Sequence, residues 1–153
     1  MAEQGTLGSL TITMAKEPSS FKLYGALKEK LEAVRETPGE TVLYDGPVRE
    51  LCPMAPHNVN TIACAALATG ASAGLGFDGV RARLVSDPSL EAHVIDIEVG
   101  GNRPAGSEQF TVSTRRYNPA VKGAVTGNAT YNSFWASLLR ASGGRLGPGL
   151  HFC

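Results

Sequence analysis

Residues 80–116 read VRARLVSDPSLEAHVIDIEVGGNRPAGSEQFTVSTRR, and three segments within this stretch alternate with a period of two. That period is the mark of strands that turn one face to a core and the other away from it. Val80, Ala82 and Leu84 alternate with Arg81, Arg83 and Val85. His93, Ile95, Ile97 and Val99 share one face, and Val94, Asp96 and Glu98 take the other. Phe110, Val112 and Thr114 alternate with Thr111, Ser113 and Arg115. Asp87-Pro88 breaks the chain between the first two segments, and a loop over 100–106 separates the last two.

Working outward, residues 10–14 (LTITM) and 41–44 (TVLY) read as two further short strands, the second closed by the turn pair Asp45-Gly46. Between them, residues 28–36 are highly charged and helical in composition, ended by Pro38-Gly39. Their thin apolar stripe suits a surface helix or a mobile excursion. Residues 47–54 form a short helix with Pro47 in the first turn. Asn58 is a good N-cap for a helix of small residues running through Ile62, Ala65, Ala66 and Leu67 to Gly70. The glycine-rich stretch 70–79 reads as a flexible loop, since its spacing does not match a dinucleotide-binding fingerprint and it follows no strand. Near the end, Tyr131, Phe134, Trp135, Leu138 and Leu139 fall on one helical stripe, with Thr126 as a candidate cap. Strands interleaved with packed helices predict an α+β fold (α/β with a mixed sheet), as one domain over 1–153 with helices on one face.

The bulk composition narrows the function. Apolar residues make up 42% of the 153, and fourteen basic side chains balance fourteen acidic ones. Nothing in that balance favours a nucleic-acid backbone or an anionic membrane surface. Three scattered cysteines, Cys52, Cys64 and Cys153, form neither a disulfide framework nor a zinc knuckle, and read as buried thiols in a reducing compartment. The amino terminus lacks a secretory pattern and the best apolar run, 61–69, is far too short to span a bilayer, so a cytoplasmic protein is expected.

Motifs with built-in chemistry are few. The sequence contains no P-loop, nucleophile elbow, HExxH or CxxC, and no metal site is expected. On spacing alone, His93 reads as a hydrogen-bonded histidine at a core edge, although a residue that opens a strand after a loop can also face a cleft. Asn58 and Asn60 read as helix-capping residues. The functional alternative is that Asn60 offers its amide to a ligand beside the positive end of that helix. His57 and His151 read as surface residues. Arg49, Arg115 and Arg116 are each able to grip a carboxylate, but for the last two a solvated strand end is the preferred reading.

Three ordered segments carry a resemblance. GPVRELCPMAPHNVNTIACAALA, VSDPSLEAHVIDIEV and TRRYNPAVKGAVTGNA together resemble the aspartate dehydrogenase family, through Gly46, Pro56-His57-Asn58-Val59-Asn60, Ser86-Asp87-Pro88, His93 and Asn118-Pro119. The resemblance implies an NAD(P)-dependent oxidation of L-aspartate to iminoaspartate, which hydrolyses to oxaloacetate and ammonia or feeds NAD biosynthesis. It implies that His93 is catalytic and that Asn60 contacts the NAD or NADP cofactor, with Asn58 positioning it. A homodimer formed through the sheet is the implied assembly. The family's G-x-G-x-x-G Rossmann half is not in these residues, so the chain is expected to supply the substrate side, with 1–9 a remnant of the nucleotide-binding part and 145–153 a tail. The segment after Asn118-Pro119 departs from the family, leaving the role of Thr126 open. Two alternatives stand beside this reading. One is a non-catalytic dimerisation fragment of the same family. The other is a different dehydrogenase of homoserine or dihydrodipicolinate type, against which the Asn-x-Asn pair and His93 argue.

Overall fold

The computed structural model describes residues 1–142 except 3, 71–73, 104–106 and 128. Five strands form one mixed sheet: β1 (Leu7–Lys16), β2 (Thr41–Pro47), β3 (Arg81–Ser86), β4 (Ala92–Gly101) and β5 (Thr111–Pro119). Their order is β2-β3-β1-β4-β5. Only β1 and β3 run parallel; β2 with β3, β1 with β4 and β4 with β5 are antiparallel. The helices are α1 (Gly25–Val34), α2 (Val48–Leu51), α3 (Asn60–Gly70), α4 (Gly76–Gly79) and α5 (Ala129–Ser142).

The two-residue period sets the faces. Leu10, Ile12 and Met14 of β1 stand opposite Val99, Ile97 and Ile95 of β4. With Ala82 and Leu84 of β3 they meet Leu27 and Leu31 of α1, Leu51 of α2, and Ile62 and Ala66 of α3 in the main core. Burying a large aliphatic side chain is worth about 1.5–3 kcal/mol, so this layer supplies much of the folding free energy. The α1 segment is the surface helix that its thin apolar stripe suggests rather than an excursion, docked through two buried leucines. The opposite face carries Thr11, Thr13, Arg81, Arg83, Asp96 and Arg115, with ion pairs Arg81–Asp45 at 2.6 Å and Arg115–Asp96 at 3.7 Å. A small cluster of Ala15, Val85, Ala92 and Val94 occupies one end of that face.

Several boundaries move from their expected places. β1 begins at Leu7, not residue 10, so residues 7–9 belong to the sheet; Leu7 pairs with Gly101 and Ser9 with Gly100. Gly8 hid this extension by interrupting the alternation, and it is required there: a β-carbon would lie 2.5 Å from the Gly101 carbonyl oxygen. The expected 70–79 loop contains the single turn α4, and its residues 71–73 lie outside the described residues. The closing helix forms, but its stripe is not core, because Tyr131, Phe134, Trp135, Leu138 and Leu139 are 47–70% exposed. Cys64 is exposed on α3, contrary to the buried-thiol reading; Cys52 is half-buried, and both are free. His151, Cys153 and the 145–153 tail fall outside the described residues. Among the described residues, no helix is long and apolar enough to cross a membrane.

Candidate active site

On the helix side of the sheet the apolar rows end in polar ones. The β1 row Leu10, Ile12, Met14 continues to Lys16, and the β4 row Val99, Ile97, Ile95 continues to His93. Ala15 pairs with Val94, so the next residue on each strand sets Lys16 level with His93. On β5, Asn118 stands opposite His93 and Arg116 opposite Ile95. These four side chains line one cavity of about 200 Å³. Asn58, Asn60 and Thr61 border it at the start of α3, and residues 125–127 cross it before α5. The volume lies below the ~300–1,000 Å³ typical of drug-sized pockets, so it suits a compact metabolite.

His93 is buried, and its Nε2 lies 2.9 Å from the Ala124 carbonyl oxygen. A carbonyl oxygen can only accept, so Nε2 carries the proton and Nδ1 keeps its lone pair. Burial lowers the ring's pKa below its ordinary 6.5; the positive charge of Lys16 lowers it further, and the Ala124 hydrogen bond opposes both. At neutral pH the ring is a neutral base. A β-carbon on Gly127 would sit 3.6 Å from Nδ1, so glycine leaves that edge uncovered.

Lys16 is 4% exposed and donates from Nζ to the Val125 carbonyl oxygen at 2.9 Å. Its ammonium lies 6.0 Å from the Phe21 ring centroid. Burial brings its pKa down from 10.5 to about 8. Among the described residues it takes part in no ion pair. Alternation could have found it: in LTITMAK it is the charged residue at a core-facing position.

The two asparagines separate in role. Asn58 is 2% exposed and does not cap α3: its Oδ1 accepts the Lys22 backbone N–H at 2.9 Å, tying the loop before α1 to the helix entrance. The first turn of α3 closes instead through Ala63 N–H to the Val59 carbonyl. The Nδ2 of Asn58 is buried on the cavity wall without a hydrogen-bond partner. Asn60, first residue of α3, is exposed at the rim, with its amide beside the positive helix end. Thr126 is no cap either, since α5 starts at Ala129 and its entry bond runs from Thr130 N–H to the Gly127 carbonyl; Thr126 lines the cavity instead.

Of the three arginines offered for a carboxylate, the cavity selects Arg116 alone. Arg49 is held on the surface by Asp78, at 2.6 and 2.8 Å, and Arg115 points to the opposite face. His57 is exposed, 3.3 Å from the Tyr24 hydroxyl, and its ring also borders the cavity. Among the described residues, no group of three His, Cys, Asp or Glu side chains is arranged to hold a metal ion.

Fold and cavity define the class: an α+β domain with a small, polar, cation-walled cavity at the edge of its core. The family described as "Aspartate dehydrogenase, C-terminal" matches residues 1–137, and the chain belongs to it. An aspartate dehydrogenase domain-containing protein of Xenopus tropicalis is 53% identical over 145 residues, covering 94% of this chain and 49% of that one. An L-aspartate dehydrogenase of Serratia proteamaculans is 33% identical over 101 residues, 66% of this chain and 36% of its own length. The crystal structure of aspartate dehydrogenase from Thermotoga maritima shares the fold, with a TM-score of 0.52 and 19% identity over 97% of this chain and 49% of that one. The chain thus spans about half the length of the vertebrate relative it matches.

Proposed function

We propose that this domain supplies the substrate side of an L-aspartate dehydrogenase that uses NAD or NADP. The observation that carries the reading is the neutral His93, its Nδ1 free within the cation-walled cavity. Nδ1 takes a proton from the substrate ammonium, which frees the nitrogen lone pair to form the imine as a hydride leaves Cα. The nicotinamide, when bound, accepts that hydride. Once His93 has released that proton to solvent, its neutral ring takes one from the water that adds to the imine carbon. It passes this proton to the nitrogen, which leaves as ammonia and yields oxaloacetate. Asn60 fits the cofactor's carboxamide: its side chain is exposed at the cavity rim, where it can fix which ring face meets the substrate. Asn58 holds the entrance of α3 in place and so positions Asn60.

The test is nicotinamide reduction on mixing the chain with L-aspartate and NAD or NADP, with His93→Ala beside it. Activity that falls by about 10²–10⁴-fold in the variant supports general-base catalysis. Equal activity in both removes His93 from the chemistry.

A second reading is favoured by the apolar stripe of α5, whose exposure suits a partner surface. In that reading the chain is a non-catalytic dimerisation fragment, and the homodimer is its function. It predicts a dimer in solution with no nicotinamide reduction.

A further inference from the structure

Resting on the L-aspartate reading but testable without it, we propose that Lys16 and Arg116 are the two carboxylate anchors of the site, Lys16 at the base of the cavity and Arg116 at its mouth. Both project from the helix side of the sheet and flank the His93 position, Lys16 from β1 and Arg116 from β5. Lys16 is nearly inaccessible, yet among the described residues its ammonium donates to the neutral Val125 carbonyl and meets no carboxylate. A buried ammonium without a counter-ion is costly, and a protein retains one where a ligand supplies the missing charge. Arg116 is exposed, and among the described residues it forms no ion pair.

The rest of the wall agrees. Among the described residues no Asp or Glu lines the cavity, so none of them competes for the two cations or repels a dianion. The buried, unpartnered Nδ2 of Asn58 offers a donor, and the positive end of the eleven-residue α3 adds to the same sign. Two fixed cations with a neutral base between them match a short dicarboxylate better than a monocarboxylate amino acid. Discrimination against single-charge analogues follows, because the unmatched cation would stay desolvated and unpaired.

The probe is succinate, titrated into the chain without cofactor and followed by calorimetry and by the His93 ring resonances. Succinamate, with one carboxylate replaced by an amide, is the single-charge control. The expected result is that succinate binds at least tenfold more tightly than succinamate, and that Lys16→Met and Arg116→Gln each weaken succinate at least tenfold. Among the described residues, the titratable groups facing Lys16 across the cavity are His93, His57 and Arg116, and no carboxylate. Wild-type affinity should therefore fall as pH rises from about 7 to 9.5 and the Lys16 ammonium is lost, a dependence absent in Lys16→Met.

No succinate binding, equal binding of succinate and succinamate, or an unchanged affinity in either variant overturns the assignment. Should Lys16→Met fail to fold, the succinamate comparison and Arg116→Gln at its exposed site still decide. Binding that meets these criteria without any oxidation of L-aspartate by the chain would leave the anchors standing and favour the non-catalytic reading of this domain. Oxidation of L-aspartate with a KM indifferent to both substitutions would do the reverse.

Discussion

The two ring nitrogens of His93 have unequal roles because the Ala124 carbonyl fixes the proton on Nε2. Access to Nδ1 then depends on the absent side chain of Gly127. Gly127→Ala sets a methyl 3.6 Å from Nδ1, an ordinary contact that strains nothing, so thermal stability should stay within about 0.5 kcal/mol. L-aspartate turnover should fall, because the methyl occupies the space the substrate nitrogen needs; unchanged kcat and KM would refute that. Lys16 makes the opposite trade. Its folded pKa of about 8 lies below the unfolded 10.5, so the unfolded state binds more protons between those values and wild-type stability rises with pH across that window. Lys16→Met should therefore raise stability at pH 7 by up to roughly 3 kcal/mol, the free energy of that drop from 10.5 to about 8, while weakening ligand binding. Melting curves from pH 7 to 10.5 check this: the gain should shrink toward the alkaline end as the native lysine itself becomes neutral. His93 was legible in the sequence as a residue opening a strand, and Asn60 as one in a first helical turn. Lys16 was passed over because a lysine reads by default as solvated, although its period-two position set it in the core row.

Helices and strands were more legible than their ends. The three alternating segments of 80–116 all became strands: the apolar rows of β3 and β4 have a single way to be buried, whereas β5 pairs along the sheet edge and stays exposed. Gly8 and Ser9 carry no such pattern, so the first turns of β1 were invisible; what places them is close approach to Gly101. Gly8→Ala should force β1 and β4 apart at that point and cost about 1–3 kcal/mol, measured by denaturant unfolding. A loss under 0.5 kcal/mol would mean the strand ends give way freely. At the start of α3 the capping chemistry was read correctly in kind and wrongly in partner. Asn58 does satisfy a backbone N–H, but that of Lys22 in a loop distant in sequence, a choice that only the tertiary fold dictates. In the central core, Leu51 of α2 is fully buried, and Leu51→Ala should cost about 2–5 kcal/mol by the same measurement.

At the scale of the molecule, helices cover one face of the sheet from β2 to β4 but leave β5 bare, the other face is open and charged, and α5 offers solvent an aromatic and aliphatic stripe. A period of 3.6 shows that a helix has an apolar side; it does not say whether that side meets the same chain or another. This is why the last helix is legible as an element while the partner of its stripe is not. If the stripe is a contact between copies, sedimentation equilibrium should show a dimer that Phe134→Glu shifts to monomer, with the monomer's melting temperature unchanged. A monomeric wild type at tens of micromolar would exclude that role.

Trp135 is the sole tryptophan of the sequence, and it sits 58% exposed on α5, outside both the core and the cavity. Indole fluorescence in this protein consequently reports on what covers that helix and is nearly blind to whether the sheet is folded. Diluting the protein should red-shift the emission if copies separate. An unfolding experiment followed at that wavelength alone would record loss of the helix's company and mistake it for loss of the fold.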